Sequence, residues 1–181
     1  MRNTCTDTTG HLIDGSLPKS SKALLAELAS LGIETSTTEH APMFTVEDSK
    51  TLRVTPGGMG DIKNLFLRNK KGQMWLVSCH EDRNVDLKML AKALGAGRFS
   101  FASEVRMMRY LGIKPGSVSP FALVNDITGA VRFVIDSVLT QTEVIYLHPL
   151  VNTRTTTIAT SDLLTYCTHT GHKAQIITFG E

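Results

Sequence analysis

No apolar run in the sequence approaches the ~18–20 residues that a membrane span needs. The opening segment, MRNTCTDTTGHLIDGSLPKSS, has no apolar core of the kind a secretory signal carries. Cysteine is scarce. The three residues Cys5, Cys79 and Cys167 are odd in number, widely spaced and contain no CxxC pair, so neither a disulfide framework nor a zinc ribbon is expected. These features together lead to the expectation of a cytoplasmic protein with free thiols. Charge of one sign is lacking as well: 19 basic against 17 acidic residues leave a net +2, too even to argue for a nucleic-acid partner on its own. The common catalytic signatures are missing. There is no GxSxG, HExxH, GxxxxGK[ST] or GxGxxG. Pro56-Gly-Gly-Met-Gly60 shares only its glycines with a phosphate loop and reads as a plain loop. His169-Thr-Gly-His172 has metal-like spacing, but Gly171 would break the helix that aligns two ligands and no Cys or carboxylate pair stands nearby, so no metal is expected. Cys79 and Cys167 sit in apolar stretches, as small buried side chains do.

What is present fits one folded domain. The chain has 181 residues, 41% of them hydrophobic and 20% charged, ordinary values for a globular protein. Residues 1–17 lack periodicity and read as a polar N-terminal tail or loosely docked arm; the domain proper is expected over 18–181. Leucines 24, 25, 28 and 31 follow helical spacing after a Ser20–Ser21 cap, with Gly32 as the stop. Threonine-rich 33–40 predicts a strand, 46–52 a short helix, and 62–67 with 74–78 a hairpin around Arg68-Asn-Lys-Lys-Gly72. Helices are predicted at 86–94 behind Asp86 and at 103–111 behind Ser103. Beyond Gly116 come short β-rich runs at 121–124, 131–135, 144–147 and 155–158, then a helix at 161–169 and a strand at 174–179. Helices and strands do not alternate regularly, which argues against a doubly wound parallel sheet. The expected class is α/β (α+β), a single compact domain with a mixed, barrel-like sheet flanked by helices.

Two local features invite a chemical reading. In Asp61-Ile-Lys-Asn-Leu-Phe-Leu67, strand alternation puts Lys63 on the same face as Leu65 and Leu67. Its stem then lies on apolar surface, with the ammonium either snorkelling to solvent or held in a cleft. In Lys114-Pro-Gly-Ser-Val-Ser-Pro120, two prolines and a glycine stiffen a stretch whose amides are left free, as a plain turn or as a rigid cradle for an anion or carbonyl.

Lys63-Asn64 within KNLFL, the Gly116-Ser-Val-Ser-Pro120 loop as Gly-x-x-x-Pro, and His148-Pro-Leu-Val-Asn152 followed by a threonine-rich strand and Asp162-Leu163 occur in that order. Taken jointly, over residues 20–180, they resemble the YbaK-type, prolyl-tRNA-synthetase-associated family of aminoacyl-tRNA editing domains, and most of all its free-standing members that deacylate alanyl-tRNA(Pro). The resemblance implies an enzyme that needs no cofactor and hydrolyses the ester of a mischarged tRNA. It implies two partners: the acceptor end of mischarged tRNA(Pro) and, transiently, prolyl-tRNA synthetase. It assigns catalytic roles to Lys63, Gly116, Ser117 and His148, and substrate contacts to His40, Asn64, Val118, Ser119 and Pro120. A deacylase of the same family for cysteinyl-tRNA(Pro) or another aminoacyl-tRNA, and a non-catalytic tRNA- or synthetase-binding module, are the competing readings.

An aminoacyl ester is already activated, so positioning and charge stabilisation suffice without a covalent nucleophile. Loop amides are suited to the oxyanion. A lysine ordinarily titrates near ~10.4, so Lys63 suits the role of a cation better than that of a base. The water is oriented by the substrate's own ribose hydroxyl or by His148. Arg68, Lys70 and Lys71 at the hairpin tip, with Arg106, Arg109 and Lys114, read either as a solvated face or, adjoining the site, as a track for the single-stranded CCA end.

Overall fold

The structure, a computed structural model, describes residues 10–51, 55 and 58–179. Cys5, Leu52, Pro56 and Gly57, on which parts of the sequence reading fall, lie outside the described residues. Segment 10–17 is docked: Leu12 is buried and Ile13 N–H donates to the Arg109 carbonyl at 2.7 Å.

Helix α1, Ser21–Ser30, starts where the Ser20 hydroxyl accepts from Ala23 N–H and buries Leu24 and Leu28. Strand β1, Thr35–Glu39, leads to the short helix α2, Val46–Thr51, which buries none of its residues. The hairpin pairs β2, Ile62–Asn69, with β3, Met74–His80, in the register Lys63 opposite Cys79 and Leu67 opposite Trp75. Helix α3, Leu87–Ala93, is capped by the Asp86 carboxylate. A three-residue strand β4, Phe99–Phe101, follows, unannounced by any alternation in the sequence. The helix predicted over 103–111 begins as α4, Glu104–Arg106, under a Ser103 cap and widens to a π-helical turn at Met107–Leu111. Strands β5, Val131–Asp136, β6, Val144–Leu147, and β7, Arg154–Ala159, helix α5, Thr160–His169, and strand β8, Gln175–Ile177, complete the chain.

One predicted strand is not a strand. Residues 120–125 form a 3₁₀-helix, Pro120–Asn125, with Phe121, Ala122 and Leu123 fully buried. Pro120 occupies its first turn, where a fixed φ and a missing N–H favour helix over ladder. The apolar run suggested β structure because burial is all that such a run encodes.

The strands form two sheets. One has three strands in the order β1-β7-β6, all antiparallel; the other has five, β4-β2-β3-β5-β8, with β3, β5 and β8 parallel. A bridge between Asp61 and Tyr146 stitches them together, and Tyr146 N–H donates to the Gly60 carbonyl at 3.1 Å. A Cβ on Gly60 would lie 2.5 Å from the Val144 carbonyl oxygen, so the sheets meet there only because residue 60 has no side chain. The main core fills the space between the sheets, where Phe66, Leu76, Phe133 and Ile135 pack with Ile145, Leu147 and Ile158 under α1 and α5. A second cluster joins Leu67, Trp75, Val77 and Val134 to Leu90 of α3 on the opposite face. With both faces covered, β3 is buried along nearly its whole length.

Candidate active site

The bridge where the two sheets meet opens into a cleft of about 210 Å³. Ile62, Lys63 and Asn64 reach it from the first residues of β2, and His148 from the residue after β6. Gly116 and Val118 come from the proline-bounded loop, and Met43, Phe44 and Ser49 from the segment carrying α2. A smaller chamber of about 60 Å³ shares Met43, Ile62, Asn64 and His148 with the cleft and is closed by Tyr146 and Leu147. Thus five sequence-predicted residues, Lys63, Asn64, Gly116, Val118 and His148, border one cavity.

Alternation puts Lys63 and Asn64 on opposite sides of β2. The Asn64 side-chain oxygen accepts from the Ser78 hydroxyl at 2.6 Å, leaving its NH₂ without a partner among the described residues. The Lys63 ammonium does not snorkel freely; it donates to the Arg83 carbonyl. Its cross-strand neighbour Cys79 is buried, and that burial pushes the thiol up to about 11, far from a nucleophilic thiolate. Cys167 is also buried and its thiol is raised further.

His148 is the most fully specified group. Its Nδ1 lies 2.8 Å from the Arg154 carbonyl oxygen. A carbonyl only accepts, so Nδ1 carries hydrogen and the neutral ring keeps its lone pair on Nε2. Burial is the main reason its pKa falls below the ordinary histidine value; the Arg154 bond opposes the fall and the charge on His40 adds to it. His40 packs behind it at 5.8 Å between ring centroids, with Nδ1 on the Ala41 carbonyl and Nε2 on the Thr155 hydroxyl. His40 does not border the cleft; it supports the residue that does.

The Gly-x-x-x-Pro loop divides its duties. Gly116 adopts φ +85° and comes so close to the 43–44 segment that a Cβ would lie 3.0 Å from the Met43 carbonyl oxygen. That carbonyl also accepts from the Asn152 side chain at 3.0 Å, a role for Asn152 that the sequence motif contained but did not reveal. Ser117 is buried, and its N–H is taken up by the Lys114 carbonyl, whereas the Gly116 and Val118 amides bond to no other described residue. Ser119 is fully buried, with its hydroxyl on the His148 carbonyl at 2.7 Å, and Pro120 is buried at the head of the 3₁₀-helix. Ser117, Ser119 and Pro120 therefore shape the loop from inside, and of its residues Gly116 and Val118 line the cleft.

The basic hairpin tip does not adjoin the cleft. Lys63 is the second residue of β2 and Lys70 follows its far end, about 23 Å away at ~3.3 Å per residue, so Arg68, Lys70 and Lys71 sit at the opposite end of the strand. His172 is engaged elsewhere, its Nε2 3.1 Å from buried Asp126. Among the described residues no group of three or more His, Cys, Asp or Glu side chains is arranged to hold a metal ion, and no helix is long and apolar enough to cross a membrane.

Residues 40–166 match the family model described as the aminoacyl-tRNA editing domain. The chain belongs to that family. The chemistry that membership carries is hydrolysis of an aminoacyl-tRNA ester, so the cleft belongs to a carboxylic ester hydrolase. Among its relatives is the prolyl-tRNA editing protein ProX of Acetoanaerobium sticklandii, 37% identical over 143 residues, which span 78% of this chain and 87% of that one. The prolyl-tRNA synthetase associated domain-containing protein 1 of Bos taurus is 39% identical over 163 residues, 87% of this chain and 94% of that one. A crystal structure provisionally described as a trans-editing enzyme for prolyl tRNA synthetase shares the fold, with TM-score 0.68 at 18% identity, covering 91% of this chain and all of that one.

Proposed function

We propose that this protein acts in trans on mischarged tRNA(Pro), removing alanine from its 3′ end in the cytoplasm. The observation that carries the reading is the convergence of Lys63, Asn64, Gly116, Val118 and His148 on one cleft with a small side chamber. The similar proteins named for prolyl-tRNA editing supply the tRNA class.

The aminoacyl ester lies in the cleft with its carbonyl toward the Gly116 and Val118 amides. Those donors stabilise the oxyanion that forms on attack, a contribution of about 3 kcal/mol for one well-placed donor. His148, neutral and with its lone pair on Nε2, accepts a proton from the attacking water and returns it to the departing ribose oxygen. Lys63 remains a cation and grips the terminal phosphate or the developing negative charge. The chamber bounded by Met43, Ile62, Tyr146 and Leu147 receives the amino-acid side chain. The proposal assigns this small chamber, about 60 Å³, to the alanine methyl group. Exclusion by size supplies the discrimination a proline-shaped synthetase pocket lacks, since a missing methylene is worth only ~1–3 kcal/mol.

The test is loss of the ester from alanyl-, cysteinyl- and prolyl-tRNA(Pro) with wild type and Lys63→Ala. Fast loss of alanine alone that depends on Lys63 supports the proposal. Preferential release of cysteine, or tRNA binding with no turnover, overturns it.

A further inference from the structure

Lys63 of β2 pairs with Cys79 of β3, and Ser78 of β3 pairs with Ile135 of β5, so Cys79 and Asp136 are the next neighbours along. Lys63, Cys79 and Asp136 therefore form a row across three adjacent strands, their side chains on the face that carries the second core cluster. The cation and the carboxylate stand two strand spacings apart, about 10 Å, with only a short cysteine between them. A four-carbon lysine stem spans most of that gap. Asp136 is fully buried, and its Oδ2 has no aligned hydrogen bond, so its charge needs a counter-ion. Left to itself, the pair would close over Cys79 and draw the ammonium away from the Arg83 carbonyl.

Arg83 stands between them in effect. Its Nε lies 3.3 Å from Asp136 Oδ2, and its guanidinium rests on the Phe179 ring at 5.7 Å. Its own carbonyl receives the Lys63 ammonium. The adjoining Asp82 binds Lys50 of α2 at 2.5 Å, so the same turn also ties down a wall of the cleft. The charged groups around Lys63 from every side are then Asp82, engaged with Lys50; Glu81, buried beside the cleft; Asp136; and Arg83 itself.

We infer that Arg83 is a positioning residue that occupies Asp136 with its side chain and holds Lys63 at the cleft with its main chain, so that the cation stays available to the substrate. The inference rests on the reading of Lys63 as the cation of a deacylase. Its structural half, where the ammonium goes, is independent of turnover.

The experiment compares wild type, Arg83→Met, Arg83→Lys, Asp136→Asn and the double variant Arg83→Met/Asp136→Asn. Two quantities are read: the titration of Lys63 by NMR in protein labelled at lysine Cε, and kcat on alanyl-tRNA(Pro) per folded molecule. In Arg83→Met the freed carboxylate captures Lys63, raising its titration midpoint by about one pH unit or more, and kcat falls about 100-fold, as for a displaced catalytic group. Arg83→Lys keeps the midpoint near wild type. The double variant, having no trap, returns the midpoint and recovers much of kcat. An unchanged Lys63 midpoint in Arg83→Met overturns the inference, as does a double variant no more active than the single. If Arg83→Met does not fold, Asp136→Asn decides: a loss of kcat as deep as that of Lys63→Ala means the carboxylate orients the site instead of threatening it, and the inference falls. Should wild type release no amino acid from any tRNA(Pro), the functional proposal fails, while the Lys63 midpoints still decide the role of Arg83.

Discussion

The hydroxyl of Ser119 donates to the main-chain carbonyl of His148 at 2.7 Å, across 29 residues of sequence. This buried bond fastens the proline-bounded loop to the strand end that carries the imidazole. The same carbonyl accepts from Leu150 N–H at 2.9 Å, and Leu150 adopts φ +67°, a conformation a bulky residue holds only when its surroundings impose it. The loop amides and the ring are thus held in register by contacts that lie behind the cleft.

Ser119→Ala removes that tie without adding bulk. Loss of one buried hydrogen bond lowers stability by about 1 kcal/mol. Because loop and ring lose their common anchor, kcat falls more than that loss of stability implies. Thermal unfolding measured beside single-turnover deacylation separates the two effects.

Gly116→Ala places a Cβ at φ +85° and 3.0 Å from the Met43 carbonyl oxygen. The left-handed conformation alone costs about 1–2 kcal/mol for a residue with a side chain. The expected result is a lower unfolding midpoint together with near-complete loss of turnover, since relief of the clash moves the amide proposed to face the ester. Deacylation at 20 °C, well below unfolding, is the decisive measurement.

The proposed role of His148 as the base predicts a pH profile. Its folded pKa lies below the unfolded value of about 6.5 because burial disfavours the charged ring. As a base it is active when neutral, so kcat/KM rises with pH through a midpoint under 6.5 and is level at neutrality. Stability changes in the same direction. The unfolded chain binds the proton more readily, so the contribution of His148 is complete above the unfolded pKa and is lost as pH falls through the folded one. His148→Gln abolishes the acid limb of the rate profile.

Ile62→Ala enlarges the chamber beside Asn64 and His148. Hydrolysis of prolyl-tRNA(Pro) rises relative to alanyl-tRNA(Pro), within the ~1–3 kcal/mol that a methylene-scale change of pocket size commands. An unaltered ratio of the two kcat/KM values assigns the side-chain pocket elsewhere.

Local chemistry was legible in the sequence where the signal is local. Ser20, Asp86 and Ser103 were recognisable as caps because a short polar side chain before an amphipathic run satisfies free amides wherever it occurs. The 62–80 hairpin and the α5 helix followed from periodicity, and the order of Lys63-Asn64, Gly116–Pro120 and His148 identified the family. The run at 121–124 misled because burial and strand share one pattern. Strand β4 was missed because three residues carry no period.

What the sequence determined by itself was most of the segments that form helices and strands, apart from 121–124 and β4, and which residue types are available for catalysis. Tertiary structure alone decided that Ser117, Ser119 and Pro120 turn inward, that His40 buttresses His148, and that the basic tip lies at the far end of β2. It also decided that Arg83 and Asp136, two otherwise unremarked residues, meet beneath Lys63. The physical reason is range: caps and alternation act over one to four residues, whereas these arrangements depend on strand register and on a bridge between two sheets, set by the burial of side chains tens of residues apart.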